Sequence, residues 1–340
     1  MSDGARRLWL AAALAMAPPA GMAGCRHRTQ EGLAVSGGGR SGGARGDAAN
    51  VGPLVRGAFT DEAGRRVVPR AFPTRRVVSL APNVTELLFL VGAGEQVVGV
   101  DNYSDQPAGR VERIARVGSD YEPSLETIVA LTPDVVFTSL SANRRETVEA
   151  LERLGIPVFV TDTRAVSEMD RILKSLGEIT GRTAAAEDET RRLHAGLAAV
   201  RKRVAGLPRP RVLVVVWGDP LYVAGRETFT DDLIAIAGGT NIAADATGFA
   251  KYPLERVLRL SPEVIVVPTH SAVEQGPRAV GYWSRWPELP AVRNDRVKAI
   301  EDTLIIRPGA HLVQGADFLA ELIHPEQPAA RSNKGESRGE

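Results

Sequence analysis

Apolar residues in this chain gather into short β-branched runs, each followed by a longer amphipathic stretch that closes on glycine. RRVVSLAP (75–82) predicts a buried strand running to a proline; VTELLFLVG then predicts a helix that Asn83 can cap and Gly92 stops. RVLVVVWG (211–218) and TDDLIAIAGG (230–239) repeat the arrangement, ending at Gly238-Gly239. Setting ELLFLVGAG (86–94) beside DLIAIAGGT (232–240) gives the same spacing of acid, apolar residues and Gly92/Gly238. A second repeat is closer still. LETIVALTPDVV (125–136) returns as LERVLRLSPEVI (254–265), at a constant offset of 254 − 125 = 129 residues. Leu125/Leu254, Glu126/Glu255, Leu131/Leu260 and Pro133/Pro262 are identical, while Thr132/Ser261 and Asp134/Glu263 recur in kind. Upstream, GAFTDEAGRRVVPRAF (57–72) carries short β-prone runs around Glu62-Ala63-Gly64, the pattern of a hairpin.

Each half therefore reads strand, helix, strand, helix, strand. This predicts an α/β fold of two Rossmann-like lobes, with parallel central sheets covered by helices. Between the halves lie SEMDRILKSLGEITG and then TAAAEDETRRLHAGLAAVRKRVAGL (183–207), the latter with Leu193, Leu197, Val200 and Val204 in 3-4 spacing. Acids at its start (Glu187, Asp188, Glu189) and bases near its end (Arg201, Lys202, Arg203) suit the helix dipole, and Gly206 and Pro208 stop it. One long, rigid bridging helix is expected. The expected organisation is an N-terminal lobe over 53–166, a helical bridge over 167–208, a C-terminal lobe over 209–326 and a disordered tail over 327–340.

Composition narrows the function. With 42 basic and 41 acidic residues among 340, the formal charge is +1, which argues against a nucleic-acid binder. The five histidines show no HxxxH or HExxH spacing, so neither a metal site nor a catalytic set is expected. Cys25 is the single cysteine, which excludes an intrachain disulfide. It follows Arg6-Arg7, an apolar run from Leu8 to Ala17 and the small residues Met22-Ala23-Gly24, the layout of a secretory signal peptide. Bacterial lipoprotein signals end in this way, so residues 1–25 are expected to be such a signal, with Cys25 the lipidated residue. An ordinary signal cleaved nearby would instead leave Cys25 incidental. Residues 26–52 include SGGGRSGGARGD, too poor in apolar residues to pack and suited to a flexible tether.

From about Phe59 to Pro325 the chain resembles the solute-binding proteins of bacterial ABC importers, in the class whose lobes are bridged by a long helix. RRVVSLAPNVTELLFLVGAG, VVGVDNYSDQP, PSLETIVALTPDVV, LERLGIPVFV, DPLYVAGRETFTDDLIAIAGGTNIAAD and YWSRWPELPAVRNDRV, in this order, carry the resemblance. The class takes cobalamin, ferric siderophores and haem, and the likeness is strongest to the cobalamin-binding proteins. It implies a monomeric periplasmic or cell-surface lipoprotein that holds a small-molecule ligand, cobalamin or another metal chelate, without a cofactor of its own.

The candidate site residues follow. An isolated first-turn acid such as Glu126 or Glu255 is ordinarily just solvated, but two equivalent carboxylates on two similar lobes form a pseudo-symmetric pair. A homodimeric partner would offer two matching basic pockets, and the resemblance implies that these glutamates dock onto arginines of an ABC permease dimer. The ligand cleft should lie between the lobes at the carboxyl ends of the strands. Aromatics fall in loops at such ends: Tyr103, Tyr121, Trp217, Tyr222 and Phe249. By resemblance these match pocket-lining positions of the cobalamin binders, and Asp302 matches an acidic position at the cleft edge. The family pattern also has an aromatic near Ser139 and an arginine shortly after that acid, where this chain has EDTLIIRPG with Arg307. Trp283 and Trp286 read as packing beside Pro287. Two Rossmann-like lobes also describe some glycosyltransferases and dehydrogenases, but the strand-helix turn LAPNVTE and the loop from Gly218 to Phe229 carry no GxGxxG, no strand precedes the glycines of GGGRSGG, and an enzyme is not expected.

Overall fold

Each half of the chain folds its β-branched runs into a sheet of its own, and helices cover both. The computed structural model describes residues 57–269 and 272–326. The expected signal peptide with Cys25, the tether 26–52 and the tail 327–340 lie outside the described residues.

In the N-terminal lobe, β1 (Phe59–Thr60) and β2 (Arg66–Val67) form the expected antiparallel hairpin. There follow β3 (Val77–Ser79), α1 (Pro82–Leu90), β4 (Val97–Val100), β5 (Ala115–Arg116), α2 (Leu125–Ala130), β6 (Val135–Ser139), α3 (Arg145–Arg153) and β7 (Val158–Thr161). The five-stranded sheet runs β5-β4-β3-β6-β7, parallel throughout. The hairpin lies along its β7 edge: the Glu62 amide donates to Val160 O (3.0 Å), and the Val160 amide to Asp61 Oδ2 (3.2 Å). Arg65 Nη2 adds a bond to Val158 O (3.2 Å).

The bridge is a helical hairpin. α4 (Met169–Thr180) ends at Gly181, whose φ of 70° only glycine adopts freely, and α5 (Thr183–Val204) then runs 22 residues without a break. α5 buries Ala186, Leu197, Val200 and Val204, close to the stripe its spacing predicts.

The C-terminal lobe comprises β8 (Arg211–Gly218), β9 (Leu221–Ala224), α6 (Phe229–Ile236), β10 (Thr240–Asn241), β11 (Phe249–Lys251), α7 (Leu254–Leu260), β12 (Val264–Thr269), α8 (Ala272–Trp283), α9 (Pro290–Arg293), β13 (Val297–Glu301), α10 (Asp302–Ile305) and α11 (Leu312–Ile323). The strand order is β11-β9-β8-β12-β13, with β10 beside the start of β8. β10, β8, β12 and β13 are parallel as expected, but β9 and β11 are antiparallel. The reason is local. Only Asp219-Pro220 separates β8 from β9, too short a link for a parallel crossover, so the chain must turn straight back. Trp283 is fully buried, its ring centroid 5.7 Å from that of Trp286, in the packing role expected of both.

The internal repeat is exact in its backbone logic. Gly92 and Gly238 end their helices with φ of 79° and 78°, and Thr132 and Ser261 are both left-handed, with φ of 44° and 52°. Asp134 Oδ2 accepts the amides of Arg75 (2.7 Å) and Arg76 (2.9 Å), and Glu263 Oε2 accepts that of Arg211 (2.9 Å). The acid thus ties each helix-to-strand step to the first strand of its lobe, which explains why it recurs in kind. Asn83 departs from expectation. Pro82 already starts α1, Ala81 is the N-cap, and the Asn83 amide donates to Thr163 Oγ1 (3.0 Å).

One apolar core runs through both lobes and the bridge, including Val84, Leu173, Leu197, Val212 and Leu319. Within it the lobes are joined by charge. Arg307 Nη1 lies 3.1 Å from Glu86 Oε1 on α1 and 2.8 Å from Asp105 Oδ1, and the Ala310 amide donates to Glu86 Oε2 (3.3 Å). The Arg307 and Glu86 side chains are 8% and 2% exposed, so neither charge has water to fall back on. Burial pushes the Glu86 carboxyl up and Arg307 pulls it back, while Asp105 and Glu86 more than offset burial to hold the guanidinium charged. Arg307→Ala should therefore cost about 3–5 kcal/mol, because it strands a buried carboxylate. Urea unfolding at neutral pH measures this, and Glu86→Gln/Arg307→Met should regain most of the loss. A single variant as stable as the parent would remove the triad from the account.

Candidate functional site

The lobes meet through segments that follow the carboxyl ends of their strands, where open α/β sheets present ligand sites. Besides the Arg307 contacts, the Val166 amide donates to Asp232 Oδ2 on α6 (2.8 Å).

On the N-terminal lobe the rim is made of loops, and buried side chains hold them in place. Asn143, just before α3, ties together the segments that follow β3, β5 and β6. It accepts the Ser139 amide through Oδ1 (2.9 Å) and donates through Nδ2 to Leu80 O (3.1 Å) and Asp120 O (2.6 Å). The last of these fixes the loop of Tyr121. The Arg144 guanidinium lies 3.4 Å from the centroid of the Tyr121 ring and covers one of its faces. Tyr103 follows β4 and is half-buried. Burial pushes its phenol up, helped by the nearby charges of Asp120 and Asp101.

The C-terminal wall is built differently. Trp217 on β8 stands opposite Tyr222 on β9, and Tyr222 stands opposite Lys251 on β11, two residues from Phe249. Directly opposed residues of antiparallel strands share a face, so Trp217, Tyr222 and Phe249 lie on one side of a three-stranded ribbon. Tyr222 and Phe249 are thus strand residues, not the loop residues the sequence suggests. Trp217 Nε1 is satisfied by Asp219 O (2.8 Å). Asp302 is 8% exposed at the start of α10, and its charge adds to those that hold Arg307 ionised.

Glu126 and Glu255 are each the second residue of their helix, α2 and α7, and both are exposed. The starts differ: Ser124 caps α2 through the Thr127 amide (3.2 Å), whereas α7 follows Pro253 with no side-chain cap. Glu86, Asp101 and Asn143 were not singled out by sequence reasoning. The available signal was a polar residue lodged in an apolar run, as in LAPNVTELL.

A groove of about 960 Å³ lies elsewhere, along α5 and α6, bordered by Leu193, Leu197, Arg201, Asp232 and Ile236. None of the candidate aromatics borders it.

Two α/β lobes joined by a helical bridge and meeting across loops that follow their strands are the fold of a two-lobe solute-binding protein. The chain belongs to the periplasmic binding protein family, whose profile matches residues 77–304. It is 29% identical over 274 residues to an uncharacterised ABC transporter substrate-binding lipoprotein, YvrC, of Bacillus subtilis, covering 78% of this chain and 85% of that one. It is 27% identical over 241 residues to a vitamin B12-binding protein of Vibrio parahaemolyticus, covering 69% and 84%. Among solved structures, the apo periplasmic haem-binding protein RhuT from Roseiflexus sp. RS-1 matches with a TM-score of 0.67 and 28% identity, covering 74% of this chain and 98% of that one. The protein is a solute-binding component that works with a membrane permease, not an enzyme.

Proposed function

We propose that the chain captures cobalamin or a related corrinoid in its inter-lobe cleft and delivers it to an ABC permease dimer. What carries this reading is the pair of aromatic walls, Tyr103 and Tyr121 on one lobe and Trp217, Tyr222 and Phe249 on the other. Aromatic faces give a large flat ligand much contact area for little lost side-chain entropy. The vitamin B12-binding relative supports the same ligand. Haem is the second reading, favoured by the RhuT likeness and by tyrosine as a known ligand of haem iron. Calorimetry against cyanocobalamin, hemin and a ferric hydroxamate should give tight binding to cyanocobalamin, weakened at least tenfold in Trp217→Ala. Tight binding to hemin alone would replace the corrinoid reading with the haem one.

Delivery rests on Glu126 and Glu255, one exposed carboxylate at the same place on each lobe. Loss of one partner from a desolvated charge pair costs roughly 2–5 kcal/mol at an interface. Two pairs presented by one rigid body add by linkage, so Glu126→Gln/Glu255→Gln should lose far more permease affinity than either single variant. Surface-binding measurements on detergent-solubilised permease test this, with ligand affinity expected within about twofold of the parent. A double variant that docks normally would leave the glutamates as solvated helix starts.

Cys25 is the proposed lipid attachment site and 26–52 the tether that lets the lobes reach the permease. Cys25→Ser should shift the protein from the membrane to the soluble fraction. Continued sedimentation with salt-washed membranes would rule the anchor out.

A further inference from the structure

Asp101 is the first residue of the loop that carries both Tyr103 and Asp105, and it is wholly buried. Its Oδ1 accepts the Tyr103 amide (2.7 Å) and its Oδ2 the Ser104 hydroxyl (2.5 Å). Ser104 Oγ lies 2.8 Å from Thr85 Oγ1 on α1, which donates to Ser79 Oγ (2.8 Å) at the end of β3. A chain of hydroxyls thus links the carboxylate to the floor of the lobe. Arg116 Nη1 pins the same loop by donating to Asp101 O (2.8 Å) and Ser104 O (2.6 Å). One residue further on, Asp105 holds Arg307 of the other lobe. The segment that presents an aromatic to the cleft is therefore also the segment that engages the inter-lobe ion triad, and Asp101 sits at its root.

The carboxylate is not there for stability. Burial pushes it up to about 6, against the Ser104 and Tyr103 hydrogen bonds and the charges of Arg307 and Arg116. Asp105 and Glu86 partner that arginine, and Asp120 adds its charge beside the Tyr103 phenol. An acid whose folded-state pKa lies above its unfolded value favours folding most below the unfolded value. That contribution is lost as pH rises toward about 6, so the ionised form at neutral pH is a net burden. A neutral isostere would fold at least as well.

We propose that Asp101 is a positioning residue for ligand capture: its carboxylate sets Tyr103 in the cleft wall, and affinity falls when that carboxylate is protonated. The proposal rests on the aromatic-cleft reading above. Ionised, Asp101 accepts two charge-assisted hydrogen bonds, each roughly twice as strong as a neutral one. Protonated, Oδ2 must donate to Ser104, whose hydroxyl turns to donate to Thr85, and the Tyr103 amide keeps only a neutral acceptor. The loop loosens at the residue that meets the ligand.

Asp101→Asn mimics the protonated form and separates this role from a structural one. The parent should bind cyanocobalamin about tenfold more weakly at pH 5 than at pH 7.5, the worth of one charge-assisted over one neutral hydrogen bond. The Asn variant should bind at both pH values as the parent does at pH 5, yet unfold at pH 7.5 at an equal or higher temperature. Glu86 titrates in both chains, so the difference between their profiles isolates Asp101. A ligand-free readout guards the conclusion. With [15N]tyrosine only five amides are observed, and that of Tyr103, identified by Tyr103→Phe, should titrate near pH 6 in the parent and not in the Asn variant. If that amide titrates but cyanocobalamin binds neither chain, the corrinoid assignment falls and the positioning role stands. An amide that does not titrate, or an Asn variant with the parent's affinity and pH profile, overturns the proposal.

Discussion

A single guanidinium, buried where the two lobes meet, sets the terms for the rest of the molecule. Arg307 comes from the turn after α10, Glu86 from α1 and Asp105 from the loop after β4, so three segments distant in sequence must arrive together. Parting the lobes would break these charge-assisted bonds, which works against wide hinge opening. The 22-residue α5 works in the same direction, since bending it would break backbone hydrogen bonds. Two independent constraints, one electrostatic and one helical, thus work against movement of the lobes.

Much of the frame was legible in the sequence because its signals are local. Helix ends at Gly92 and Gly238, the 129-residue repeat and the bridging stripe all depend on neighbours a few residues away. The repeat even carried its own explanation, for an acid at 134 or 263 reaches back to the strand that opens its lobe. What escaped was decided at a distance. Glu86 and Arg307 are separated by 221 positions, and Asn143 reaches Leu80 across 63. A composition or periodicity argument sees such residues only as polar interruptions. Asn83 was misread for a nearer reason: the proline before it begins the helix, leaving the asparagine free to bond Thr163. The antiparallel β9 and β11 were hidden by the strong β signal around them, although the two-residue link at Asp219-Pro220 carried the information.

The aromatic walls owe their positions to different physics. Trp217, Tyr222 and Phe249 ride on a ladder of backbone hydrogen bonds, whose spacing is set by covalent geometry and yields little. Tyr103 and Tyr121 sit on loops that the side chains of Asp101, Arg116 and Asn143 help to hold. Local opening is cheapest where such bonds are few. The proposed site would therefore pair a stiff wall with one whose pose depends on single buried residues.

The hairpin of β1 and β2 has a consequence for the protein as one copy among many. β7 is an outer strand of sequence VFVT, and Asp61, Glu62 and Arg65 occupy its outward-facing backbone groups at Val158 and Val160. A strand edge without such a cover invites pairing with the same edge on a neighbouring molecule. Crowding at a surface would multiply those encounters. The hairpin thus acts as a seal over an edge that would otherwise template self-association.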